Sequence, residues 1–167
     1  MSTPSINSLI QHFDGALRVL NGVGHPARLN PATRVEEQPL SETERKISGR
    51  LMRVNHTGEI CAQALYLGQG LTSKDPHIQE TMQQAAKEET DHLLWCEARL
   101  AELNAQKSYL NPLFYTLSFV SGAVSGLLGN RFNLGFVAAT EEQVVKHLEE
   151  HLKGLPTDDK RSQAILE

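Results

Sequence analysis

Apolar residues recur every three or four positions through most of this chain, and no segment sustains the two-residue alternation of a half-buried strand. The pattern predicts an all-α protein. Ile6, Leu9, Ile10, Phe13, Leu17 and Leu20 fall at helical spacing and predict a short amphipathic helix docked on the body. Residues 22–40 are rich in Pro and Gly and read as an extended connection. Ser41 followed by Glu44 forms a capping-box pattern, opening a helix that runs to about residue 71. Its expected packing stripe is Ile47, Leu51, Val54, Gly58, Ala62 and Leu65. Asp75-Pro76 starts a second long helix, to about 104. A third opens at Asn111-Pro112 and stops near Gly129-Asn130. A fourth spans about 132–153, and Thr157-Asp158-Asp159 begins another that has about two turns before the last residue. The chain reads as one domain over 1–167: a leading helix and connection (1–40), bundle helices (41–153) and the start of a further helix (154–167).

The 23 residues from 108 to 130 carry no charge, long enough in principle to span a bilayer. Asn111, Pro112, four serines and three glycines dilute the segment, so it reads as a buried or interfacial helix. Gly122-Ala-Val-Ser-Gly126 is a small-xxx-small spacing that admits a neighbouring helix closely. Net charge is −4, which argues against a nucleic-acid binder, and aromatics at 5% are too sparse for a base-stacking surface. Cys61 and Cys96 make no disulfide framework and read as small core residues.

The chemical signal is acid where core residues belong. On the second long helix, steps of three and four give Ile78, Met82, Ala85, Glu89, His92, Cys96, Arg99 and Leu103. The stripe that faces the core thus carries a carboxylate and an imidazole at its centre. An ionised Glu buried without a partner costs several kcal/mol, roughly, so a cation, a salt bridge or a raised pKa must compensate. The fourth helix repeats the anomaly, with Glu141 amid Leu134, Val137, Val144, Leu148 and Leu152; Glu142 is turned away by about 100°. On the first long helix Glu59 shares a face with Met52, Asn55, Ala62 and Tyr66, a half-apolar face that does not force it inward. Arg99 is the one basic residue on these stripes and lies ten positions beyond Glu89, so a metal is the better source of positive charge. Glu89-Thr-Asp-His92 is a Glu-x-x-His, the spacing by which di-iron and di-manganese bundles project two ligands from one helical face. His56 either hydrogen-bonds Glu59 or lies on the helix surface; Glu88 and Asp91 are expected to point outward; His147 and His151 read as part of a solvated face. No His-Glu-x-x-His, phosphate loop, nucleophile elbow or dinucleotide fingerprint is present.

Four segments occur in order: Arg53-Val-Asn-His-Thr-Gly-Glu59, Ala64-Leu-Tyr-Leu-Gly-Gln69, Glu88-Glu-Thr-Asp-His92 and Leu134-Gly-Phe-Val-Ala-Ala-Thr-Glu141-Glu142. Together with the Asn-Pro opening at 111, they resemble the bacterial demethoxyubiquinone hydroxylase family of ubiquinone biosynthesis over nearly the whole chain. The resemblance implies a ferritin-like bundle holding two irons. Glu59 would be a terminal ligand of one iron, Glu89 would bridge both, His92 would complete the first iron's nitrogen ligation, and Glu141 would bind the second. It implies a monooxygenase that uses O2 to hydroxylate the ring of a polyprenylated demethoxyubiquinol, fed by an external electron donor. Such an enzyme would sit peripherally on the cytoplasmic side of the cell membrane, and a ubiquinone-biosynthesis complex is a further implied partner. The family's second Glu-x-x-His belongs to a later helix, and this sequence contains none, so it holds three of the four ligand-bearing helices. The competing expectations are a catalytically incomplete quinone-binding or scaffold protein of the same pathway, and an iron-handling ferritin-like protein, against which the apolar third helix argues.

Overall fold

A computed structural model describes residues 6–36 and 39–167. The side chains of 6–9 and 11–12 fall outside the described set, and with them the expected packing of Ile6 and Leu9 and the part of the connection at 37–38. Among the described residues six α-helices follow one another: α1 (Ile6–Asn21), α2 (Glu42–Thr72), α3 (Pro76–Glu102), α4 (Asn111–Leu127), α5 (Asn130–Gly154) and α6 (Lys160–Leu166), with one 3₁₀ turn at Pro31–Arg34. No strand occurs among the described residues. The helix ends follow local chemistry. Ser41 and Glu44 close a reciprocal capping box on α2, Asp75 caps α3 ahead of Pro76, and Asp159 caps α6 by accepting from the Ser162 amide. Gly129, at φ +98°, takes a backbone conformation that L side chains rarely adopt and separates α4 from α5.

The central helix is α2, packed along its length against α3 on one side and α4 on another. Three apolar clusters hold the bundle. Tyr66, Ile78, Met82 and Ala86 pack with Val137 at one level; Met52, Cys96, Leu100 and Leu103 pack with Leu155 and Leu166 at another. Ile60, Ala64, Leu93 and Tyr115 join α2, α3 and α4, and α1 docks there through Ala16, Val19 and Leu20. Ile10, Phe13 and Leu17, expected to help dock α1, are instead exposed.

Burial on α2 follows the expected stripe only in part: Leu65 is buried and Leu51 and Ala62 pack against the core clusters, but the other positions differ. Ile47 and Val54 are exposed and Gly58 faces open space. The buried positions include Ser48, Met52, Asn55, His56, Ile60 and Gln63, so the polar-looking face bearing Glu59 is the inward one. Several of these residues are polar, which is why a hydrophobic stripe mislocated the face. On α5 only Asn133 is fully buried; Leu134 and Val144 are exposed, while Val137, Leu148 and Leu152 pack inward.

The small-residue spacing on α4 does what it predicts. A Cβ on Gly122 would run into the Leu65 carbonyl of α2, and one on Gly68 would meet the Phe119 carbonyl of α4. Both obstacles are backbone, which cannot rotate away. Gly122→Val is therefore expected to lower stability by about 1–3 kcal/mol or more, read as a fall in the urea midpoint; Gly135→Ala, with open space around it, serves as the tolerated control.

Candidate metal centre

The site lies along the α2–α3 seam, between the levels of the Met52–Cys96 and Tyr66–Met82 clusters. α2 brings Glu59 inward one turn after Asn55 and two after Met52, and α3 brings Glu89 and His92 from the stripe that also buries Met82 and Cys96. One ligand atom from each of Glu59, Glu89 and His92 falls within 4.8 Å of the others. His92 Nδ1 is 3.3 Å from Glu89 Oε2 and 4.0 Å from Glu59 Oε2. The two carboxylate side chains are only 16% and 21% exposed, so water does little to separate their charges.

The electrostatics follow from that crowding. Burial, then the neighbouring Glu89 charge, pushes the Glu59 carboxyl well above its ordinary value, and Glu59 shares a hydrogen bond with Glu89. Burial acts on Glu89 in the same direction, but hydrogen bonds from His92 and Glu59, and the positive charge of Arg28, hold it below its ordinary value. The two carboxyls are thus pushed apart, Glu59 up and Glu89 down, as neighbouring buried like charges are.

Glu141, expected on the inward stripe of α5, is exposed, because α5 buries only Asn133 fully, yet it borders the same region. It lines one cavity of about 190 Å³ with Glu59, Glu89, His92, Tyr66 and His147. Its Oε1 accepts a hydrogen bond from the Tyr66 hydroxyl at 2.7 Å. Burial, then that bond and the surrounding carboxylate charges, raises the Tyr66 pKa far above the phenol range, so Tyr66 remains a donor. Glu141 stands outside the group of three ligand atoms. Glu142 points to solvent and pairs with Lys146, as its rotation predicts.

Two carboxylates and an imidazole converging on one cavity form a donor set that suits a divalent transition metal. The residues present fit one such ion at Glu59, Glu89 and His92, with Glu141 across the cavity.

The family described as "Ubiquinone biosynthesis protein COQ7" matches residues 46–167. The chain belongs to that family. Its bundle is therefore the ferritin-like fold, and the matched span holds all four acid and imidazole residues of the site. It is 54% identical over 164 residues to the 3-demethoxyubiquinol 3-hydroxylase of Chromohalobacter salexigens, covering 96% of this chain and 76% of that protein. It is 53% identical over 163 residues to the enzyme of that name from Pseudomonas aeruginosa, covering 97% and 76%, and 54% identical over 160 residues to that from Stutzerimonas stutzeri, covering 95% and 74%. No solved structure matches.

Several residues around the site of this COQ7-family chain sit differently from their sequence reading. Asp91, expected to point outward, is 3% exposed and accepts hydrogen bonds from the 22–30 segment. His56 contacts neither Glu59 nor solvent. It is buried, with Nε2 3.9 Å from Glu97, and burial lowers its pKa to about 4 despite that acid, leaving a neutral ring. His147 and His151 are not simply a solvated face. Their rings are 3.9 Å apart, His151 Nδ1 is 2.9 Å from the buried Asn55 Oδ1, and His147 borders the cavity. Cys96 is buried as expected, whereas Cys61 is half-buried. Arg28, from the irregular connection, had no sequence signal: its contact with the site spans more than sixty residues of chain and follows no helical period.

Proposed function

We propose that this chain is a di-iron monooxygenase that hydroxylates the ring of a demethoxyubiquinol, using O2 and electrons from an external donor. The observation that carries the reading is the convergence of Glu59, Glu89 and His92 within 4.8 Å in a half-closed apolar layer. The names of the relatives at 53–54% identity supply the substrate class and the hydroxylation. Iron, when bound, supplies the O2 chemistry that no side chain offers. The chain's own part is to present two carboxylate edges and one imidazole lone pair, with Ala62, Val144 and Leu148 supplying apolar lining to the cavity around them. Tyr66 fixes the Glu141 carboxylate across the cavity.

The polyprenyl tail of such a substrate asks for an apolar approach. α4 leaves Leu113, Leu117, Val120, Val124 and Leu127 exposed, and α1 leaves Phe13 and Leu17 exposed. Among the described residues no helix is long and apolar enough to cross a membrane. Peripheral attachment at the cytoplasmic face of the cell membrane fits both facts, and a ubiquinone-biosynthesis complex would share that surface. Leu117→Glu combined with Val124→Glu is expected to abolish co-sedimentation with liposomes while leaving iron binding intact.

A second reading has its own support. Glu141 stands outside the ligand group, which favours a catalytically incomplete quinone-binding or scaffold protein of the same pathway. Anaerobic Fe(II) titration, followed by mass spectrometry of quinol exposed to isotopically labelled O2, separates the two. The expected result is one tight iron per chain and a second bound weakly. Label in the product supports the oxygenase, and its absence from the iron-loaded chain supports the scaffold. Two tight irons would show that the second half of the site has been misjudged.

A further inference from the structure

The connection between α1 and α2 passes beside the metal centre and is fastened there. The Ala27 and Arg28 amides donate to the two carboxylate oxygens of Asp91 at 2.7 and 3.2 Å, and Arg28 Nε donates to Asp91 Oδ2 at 2.8 Å. Trp95 supports the guanidinium from one side, its ring centroid 5.1 Å from the central carbon, and packs against the His92 ring at 5.2 Å. Held so, Arg28 Nη2 lies 3.1 Å from His92 Nε2.

A guanidinium has five N–H donors, no acceptor, and does not lose its proton in proteins. The ring nitrogen it faces must therefore offer a lone pair. A neutral imidazole has one N–H, so the hydrogen sits on Nδ1, where it meets Glu89 Oε2 at 3.3 Å. Yet Nδ1 is the nitrogen turned toward both carboxylates. A metal held there needs the Nδ1 lone pair, which moves the hydrogen to Nε2 and sets two donors against each other.

We propose that Arg28 is a positioning residue that holds His92 in the Nδ1–H form, so that metal entry is coupled to withdrawal of the guanidinium from Nε2. The proposal rests on the metal reading of the site. It makes the 22–30 strap a sensor of occupancy: the Asp91 bonds do not involve His92 and keep the strap attached, while the guanidinium exchanges its partner. Most second-shell partners of a metal-bound imidazole accept its other N–H and strengthen binding; Arg28 has the opposite polarity and weakens it.

The full chain, metal-free and labelled with 15N-histidine, tests this directly by NMR. The His92 ring, assigned by comparison with His92→Gln, is expected to carry its hydrogen on Nδ1; a hydrogen on Nε2 overturns the proposal without any variant. Anaerobic Co(II) titration read by visible absorption is the second arm. Arg28→Gln, whose carbonyl can accept from Nε2–H, is expected to bind Co(II) about 10-fold more tightly, at the lower end of outer-shell effects. Arg28→Lys, still a pure donor, is expected to stay within about two-fold of the native chain. Equal affinity in the native chain and Arg28→Gln overturns the role of Arg28 alone. No Co(II) binding by any of the three overturns the metal reading and the coupling with it.

Discussion

Glu89→Gln is expected to abolish tight metal binding and, in the same molecule, to leave the metal-free fold as stable as before or more so. The substitution keeps the side-chain shape and removes the charge. Loss of one outer-shell partner typically costs a metal site about 10–100-fold in affinity, and Glu89 is the residue that faces both Glu59 and His92, so its removal is expected to exceed that range. The stability effect has the opposite sign. Burial and the Glu89 charge raise the Glu59 pKa in the folded chain, so Glu59 stabilises the fold below its ordinary unfolded value and loses that contribution as pH rises through the raised one. Removing the Glu89 charge relieves Glu59 and lessens the loss. Thermal unfolding with and without Fe(II) reads both effects. In the native chain, metal at about 100 times its dissociation constant adds about 2.7 kcal/mol; in Glu89→Gln that increment is expected to vanish. A metal-free midpoint well below the native one, or a retained increment, would contradict the assignment. Because Glu59 must give up its proton to become a ligand, native affinity is also expected to rise with pH, with proton release measurable in weakly buffered titrations.

What the sequence makes legible here depends on whether the relevant physics is local. Helix boundaries are local: Ser41 with Glu44, Asp75 before Pro76 and Gly129 mark the ends of α2, α3 and α4 where the structure has them. The inward set on α3 is nearly as local, because most of its buried positions are apolar and Glu89 and His92 interrupt them. α2 defeats the same method. It buries Ser48, Asn55, His56, Gln63 and Gln69 and approaches α4 through Gly68 and Gly122, so hydrophobicity points about one residue away from the true face. On α5 the apolar spacing finds Val137, Leu148 and Leu152 correctly but overstates Leu134 and Val144. Of the four residues named from the sequence, Glu59, Glu89 and His92 come together and Glu141 stands apart; the way Tyr66 holds Glu141 had no sequence signal. Arg28 and Asp91 were invisible for a simpler reason: the connection is irregular, and its contacts cross the chain. An acid beside a Glu-x-x-His reads as solvent-facing until something from elsewhere covers it.

The second large effect lies away from the metal. Arg99, flagged in the sequence as the odd cation on the α3 stripe, is 1% exposed and donates to Asp159 Oδ1 at 2.7 Å, to Ser162 Oγ at 3.0 Å and to Glu102 Oε2 at 2.6 Å. Asp159 is equally buried and accepts from the Ser162 amide at 3.0 Å, which caps α6. Burial opposes ionisation of Asp159, but its hydrogen bonds and the Arg99 charge hold its pKa below the ordinary value. Its stabilisation is therefore present above the unfolded carboxylate pKa and is lost as acid takes the pH through the lowered folded one. A seven-residue helix has little stability of its own, so this pair and Leu166 fasten α6 to the bundle. Asp159→Ala leaves a guanidinium buried with less compensation and removes the cap. Breaking a buried pair costs about 3–5 kcal/mol; the half-exposed Glu102 still faces Arg99, so the lower end, about 3 kcal/mol, is expected by urea unfolding. Replacing both partners with apolar residues, Arg99→Met with Asp159→Leu, is expected to recover most of the loss, because no charge then remains to desolvate. Full additivity of the two single losses in the double variant would mean that the residues act separately and that the ion pair does not hold α6 in place.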